Sequence, residues 1–107
     1  MKSMREDEAS AKIEETAVAT DTISITNGGL SNQIISVDSP AKVTFVNEDN
    51  KAHQIASDPH PTHSDLPNLN SGILYRGESF SLVIVVAGEY KFHLEDNPSV
   101  GGKIIVN

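Results

Sequence analysis

Ser79-Phe80-Ser81-Leu82-Val83-Ile84-Val85-Val86, then Gly88, then Tyr90-Lys91-Phe92-His93-Leu94, is the stretch whose pattern decides the fold. Phe80, Leu82, Ile84 and Val86 fall on one side of an extended chain, and Tyr90, Phe92 and Leu94 repeat the pattern after the glycine. Period two marks a strand with one buried face, because successive side chains leave a strand in opposite directions. Working outward, Ile23 and Ile25 alternate with Thr22, Ser24 and Thr26. Ile34, Ile35 and Val37 form a short strand, Val43 and Phe45 share one face of the next, and Lys103 to Val106 is the last. His53-Gln54-Ile55-Ala56 is a further extended piece. Turn-forming residues separate these runs: Asn27-Gly28-Gly29, Asp38-Ser39-Pro40-Ala41, Asn47 to Lys51, and Asp96 to Gly102, where Gly101-Gly102 reads as a turn. About seven to eight short strands so punctuated predict an all-β, Greek-key β-sandwich.

Two regions break the rhythm. Residues 57–78, with Pro59, Pro61, Pro67 and Gly72, form a long loop, and loops of that length in compact domains are usually functional or mobile. Residues 1–20 carry Glu6, Asp7, Glu8, Glu14 and Glu15 against Lys2, Arg5 and Lys12, with few large apolar side chains. They read as a flexible acidic N-terminal tail or linker ahead of one domain at 21–107.

The 107 residues suffice for one hydrophobic core and no more. A formal net charge of -7 speaks against nucleic acid, which needs clustered Lys and Arg, and against an anionic membrane surface. A cation is the natural complement. With no cysteine there is no disulfide, no thiolate nucleophile and no sulfur-bound zinc or iron–sulfur site. No apolar run reaches the roughly 20 residues of a membrane span. Met1 to Glu15 is charged and lacks the apolar core of a signal peptide.

All four histidines lie between positions 53 and 93. His60 and His63 share the long loop, in Asp58-Pro59-His60-Pro61-Thr62-His63; His53 and His93 sit at strand ends bordering it. His93 and Glu95 are two apart, so an extended chain points both at one side. Imidazole suits copper, zinc, iron and nickel, and a carboxylate beside it favours a dication. His53, His60, His63, His93 and Glu95 are therefore the candidate metal ligands. Because Tyr90, Phe92 and Leu94 should face the core, His93 and Glu95 should face away from it. The likeliest grouping is thus His60, His63 and His93, which His53 joins only if the sheet edge curls. No nucleophile elbow and no phosphate-binding glycine loop are present.

From Ile34 to Val106 the pattern resembles the cupredoxins. The carrying segments are Lys42-Val43-Thr44-Phe45-Val46-Asn47-Glu48-Asp49, His53-Gln54-Ile55, Gly88-Glu89-Tyr90-Lys91-Phe92-His93 and Gly102-Lys103-Ile104-Ile105-Val106. The stretch from Ile55 to His63, with Asn97-Pro98-Ser99, resembles a subgroup of secreted or lipid-anchored domains that lack the copper cysteine. The resemblance implies a sandwich of cupredoxin type and matches His53 to the first copper histidine of the pattern. Leu94, Asn97 and Val100 then stand where blue-copper proteins carry Cys, His and Met. A blue site depends on the thiolate, so the implied site is a cysteine-free one of histidine with a carboxylate. The implied function is a copper carrier or electron-transfer partner of the periplasm or extracellular space, working with a redox or copper-delivery protein. Zinc suits the same donors. Two alternatives stand beside it: a mononuclear-copper redox enzyme, and a metal-free binding module that keeps only the fold.

Overall fold

The computed structural model describes residues 18–59 and 66–107. Those residues hold eight strands: β1 Ala19–Thr26, β2 Gly29–Leu30, β3 Ile34–Val37, β4 Ala41–Asn47, β5 Ile55–Ser57, β6 Ser79–Ile84, β7 Gly88–Leu94 and β8 Asn97–Val106. They form two four-stranded sheets, ordered β2-β1-β4-β6 and β3-β8-β7-β5. Each sheet is mixed: β1 pairs β4 and β3 pairs β8 in parallel, while the remaining neighbours are antiparallel. Among the described residues no helix is long and apolar enough to cross a membrane.

The alternation read from the sequence sets the inward faces. Ile23 and Ile25 of β1, Val43 and Phe45 of β4, Phe92 and Leu94 of β7 and Ile104 of β8 are all buried. Phe45 and Phe92 meet edge to face across the sandwich, ring centres 5.1 Å apart at 72°, a favoured aromatic geometry. Leu69 and Leu74, from the long connection, complete the core.

Two expectations need correcting. Val86 was placed with Phe80, Leu82 and Ile84 on a buried face, but β6 ends at Ile84 and Val86 is exposed. Asp96 to Gly102 was read as a loop, but β8 begins at Asn97, leaving Glu95-Asp96 as a tight turn. Gly101-Gly102 is strand for a steric reason. A Cβ at Gly101 would collide with the carbonyl oxygen of Phe92, and one at Gly102 with that of Gln33. The glycines let β7 and the chain entering β3 approach β8 closely. By contrast Asn27-Gly28 is the expected turn, both residues taking positive φ (51° and 73°) between the paired Thr26 and Gly29.

Candidate metal centre

Strand parity carries His93 to the outer face of the second sheet, as expected, since Phe92 and Leu94 on either side of it fill the core. The ring is nonetheless only 3% exposed. Asp58 follows β5, and Glu95 follows β7. Nδ1–H of His93 donates to Asp58 Oδ1 at 2.6 Å, and Nε2 lies 2.8 Å from Glu95 Oε1. A carboxylate on one ring nitrogen fixes tautomer and ring direction, which is how proteins prepare a histidine to offer its other nitrogen to a metal. Burial alone would lower the pKa of His93; the hydrogen bonds to Asp58 and Glu95 outweigh it and hold the group above the ordinary 6.5. A cleft of about 360 Å³ opens on this face, lined among others by Asp58, Lys91, His93 and Ser99.

His53 lies elsewhere. Its backbone bridges Leu74 where the chain enters β5, through bonds of 3.0 and 2.7 Å. Its ring is buried. Nδ1–H donates to Asp96 Oδ2 at 2.7 Å and Nε2–H to Asp49 Oδ2 at 2.9 Å. Both bonds form only when each nitrogen carries a hydrogen, so the ring is an imidazolium. Asp49 also accepts from the backbone N–H of Gly28 at 2.9 Å and of Asn50 at 2.7 Å. Asp96 accepts from the N–H of Gln54 at 3.2 Å. The buried Asn47 closes the same loop: its amide donates to the carbonyls of Lys51 (2.8 Å) and Leu74 (2.7 Å), and its oxygen accepts from Asp49 N–H (2.9 Å). Burial would lower the pKa of His53, yet its bonds to Asp49 and Asp96 raise it above 6.5. Asp49 is held below 3.8, by the His53 bond first.

Of the expected ligands, His93 and Glu95 are thus brought together, and His53 is held by a different pair of carboxylates. His60 and His63 fall outside the described residues. Among the described residues no three His, Asp or Glu groups are placed to share one ion. Three acidic residues were missed by the sequence reading: Asp49, Asp58 and Asp96. Asp58 left one signal, since it shares the parity of Ala56, which pairs with His93.

The donor sets differ in what they fit. Around His53, the positions that the resemblance assigns to sulfur and a second imidazole are Leu94, Asn97 and Val100, and Leu94 is fully buried in the apolar core. Both nitrogens of His53 already face carboxylates. That set does not fit a blue-copper ion. His93 with Glu95 supplies nitrogen and oxygen side by side, the donors of tetragonal Cu(II).

No family model and no curated protein matches the sequence. Solved structures do match the fold. A purple cupredoxin from Nitrosopumilus maritimus is 24% identical with a TM-score of 0.70, over 80% of this chain and 98% of that one. Amicyanin from Paracoccus versutus is 16% identical with a TM-score of 0.70, over 80% and 79%. A Cu-containing nitrite reductase from Thermus scotoductus is 20% identical with a TM-score of 0.67, over 80% of this chain but 22% of the enzyme. Eight strands in two mixed sheets, superposing on these proteins, make this chain a β-sandwich of cupredoxin fold, one that contains no cysteine.

Proposed function

We propose that the chain binds one copper ion through nitrogen and oxygen donors, with His93 and Glu95 as ligands from the sheet and His60 and His63 as ligands from the long loop. The observation that carries this reading is the Asp58–His93–Glu95 row, with contacts of 2.6 and 2.8 Å on a nearly buried ring. Asp58 orients the imidazole, and Glu95 stands beside the nitrogen that would hold the ion. Asp58 also opens the segment Asp58-Pro59-His60-Pro61-Thr62-His63, so the chain that orients His93 leads directly to the other two histidines. Copper rather than zinc is favoured by the fold, since the neighbouring structures include a nitrite reductase described as containing Cu. Without sulfur, Cu(II) and Cu(I) favour different geometries, so carriage suits the site better than fast electron transfer. A copper-delivery or redox protein of the cell envelope is the partner class, a placement resting on the resemblance alone.

Titration of the full chain with Cu(II), followed by absorption and electron paramagnetic resonance, tests this. The expected result is one equivalent bound with a tetragonal spectrum and no intense blue band. His93→Ala should weaken binding more than about 100-fold, beyond the 10- to 100-fold typical of losing a ligand's support. Equilibrium dialysis that finds no copper bound at micromolar concentration would defeat the reading. That outcome would favour the metal-free module, for which the fully hydrogen-bonded His53 already speaks.

A further inference from the structure

We propose that β6 is a dimerisation edge, through which two copies of this chain pair antiparallel about a twofold axis beside Val83. The two sheets containing β6 then join into one sheet of eight strands.

β6 ends the order β2-β1-β4-β6. One side of it pairs with β4, from Val46↔Ser79 to Ala41↔Ile84 without a register shift. Its other side pairs with no described strand. Proteins usually guard such an edge with Lys, Pro, a bulge or shortness. The other edge strands use shortness: β2 has two residues, β5 three and β3 four, against six in β6. β6 has no guard of the other kinds. From Ser79 to Ala87 there is no charge and no proline, and the pairing with β4 shows no bulge. Val83, Val85 and Val86 are 55%, 64% and 67% exposed, and the inward-facing Phe80 and Leu82 are only half-buried.

Charge identifies a second copy as the occupant. A chain of net charge -7 repels itself, so self-association needs a surface free of carboxylates. The clustered acids Asp49, Asp58, Glu95 and Asp96 belong to the other end of the sheets: β4 runs from the Ala41↔Ile84 pair towards Asp49, away from Val83. The residue across from Val83 on β4 is Lys42. Two copies can therefore meet at β6 with no carboxylate on the paired strands.

The pattern is also self-complementary. Opposed residues of an antiparallel pair point to the same face. A twofold axis beside Val83 sets Val83 against Val83 of the second copy and Ser81 against Val85 on the outer face. On the inner face it sets Leu82 against Ile84 and Phe80 against Val86, covering the half-buried side chains. Such a contact closes on itself and stops at two copies.

The test uses the full chain with chelator present, so that the result does not depend on metal. Sedimentation from micromolar to millimolar concentration should show a reversible monomer–dimer equilibrium. Val83→Lys sets two cations against each other at the axis and should weaken dimerisation by more than about tenfold. Since the protein has no cysteine, Val83→Cys should form a covalent dimer on mild oxidation. Thr22→Cys, exposed on β1 of the same sheet, should not. A monomer at every concentration, with no Val83→Cys cross-link, overturns the proposal, including the case in which the edge takes up an added apolar peptide strand instead.

Discussion

His53 and His93 carry the same dressing, one carboxylate on each ring nitrogen, but the two regions are built for different ends. Around His53 the partners are themselves pinned. Asp49, 9% exposed, is tied to Gly28 and Asn50, and Asp96 is tied to Gln54. One imidazolium thereby binds together the β1–β2 turn, the connection from β4 to β5 and the β7–β8 turn. Around His93 the partners lie at the surface, Asp58 32% and Glu95 27% exposed, on the outer face of a sheet and at the mouth of the long loop. A buried ion pair with every polar atom satisfied holds loops in place. A ring oriented by one acid and flanked by another, at the edge of solvent, is suited to exchange a proton for a metal ion.

Stability without metal gives the largest test of that contrast. His53→Ala strands a nearly buried Asp49 and should cost about 3 kcal/mol. His93→Ala leaves acids that water can reach and should cost about 1 kcal/mol. Urea unfolding of both variants, with chelator present, measures the difference. Equal losses would mean that the two rings play the same structural part.

Copper affinity runs the comparison the other way. Asp58→Asn keeps the size of the side chain but weakens its grip on His93 Nδ1–H, and should reduce affinity about 10- to 100-fold. Asp49→Asn disturbs the His53 clamp and should leave affinity unchanged. A titration in which the two variants exchange roles would move the ion to His53.

What the sequence revealed follows from the range of the interactions. β3, β4, β6 and β7 were legible because alternation is local: Val43 and Phe45, or Phe92 and Leu94, announce a face by themselves. β2 has two residues and no period to read. The start of β8 was hidden because Asn97-Pro98-Ser99 and two glycines look like a loop until Phe92 and Gln33 are known to press against them. His93 was correctly turned outward by parity, yet its burial depends on neighbours from other strands. The partners of the histidines were illegible for the same reason. Asp96 reaches His53 across 43 positions and Asp58 reaches His93 across 35, and no spacing rule connects such pairs. Asn47 did leave a trace, since it continues the inward parity of Ala41, Val43 and Phe45 in β4. A polar residue in that phase has to be hydrogen-bonded.

The smallest expected effect concerns pH, and its sign discriminates sharply. The folded His53 stands above 6.5, because its bonds to Asp49 and Asp96 outweigh burial. Folding therefore favours the protonated ring; that contribution is complete below 6.5 and is lost as pH rises through the folded value. Asp49 stands below 3.8, chiefly through the His53 bond, so its contribution is present above 3.8 and is lost as pH falls through its own folded value. The clamp is strongest between those two ordinary values. His53→Gln lacks both contributions, so its stability deficit relative to the unsubstituted chain should be widest in mildly acidic solution and narrow on either side. The titration of His93 is common to both proteins and cancels. Asp96 is 39% exposed, so salt should shrink part of the deficit. Urea unfolding across pH, with chelator, measures it. A deficit that grew towards alkaline pH would mean the buried ring is held neutral, with one nitrogen lacking its hydrogen. His53 would then be the better-prepared ligand, and the division between a structural and a binding histidine would reverse.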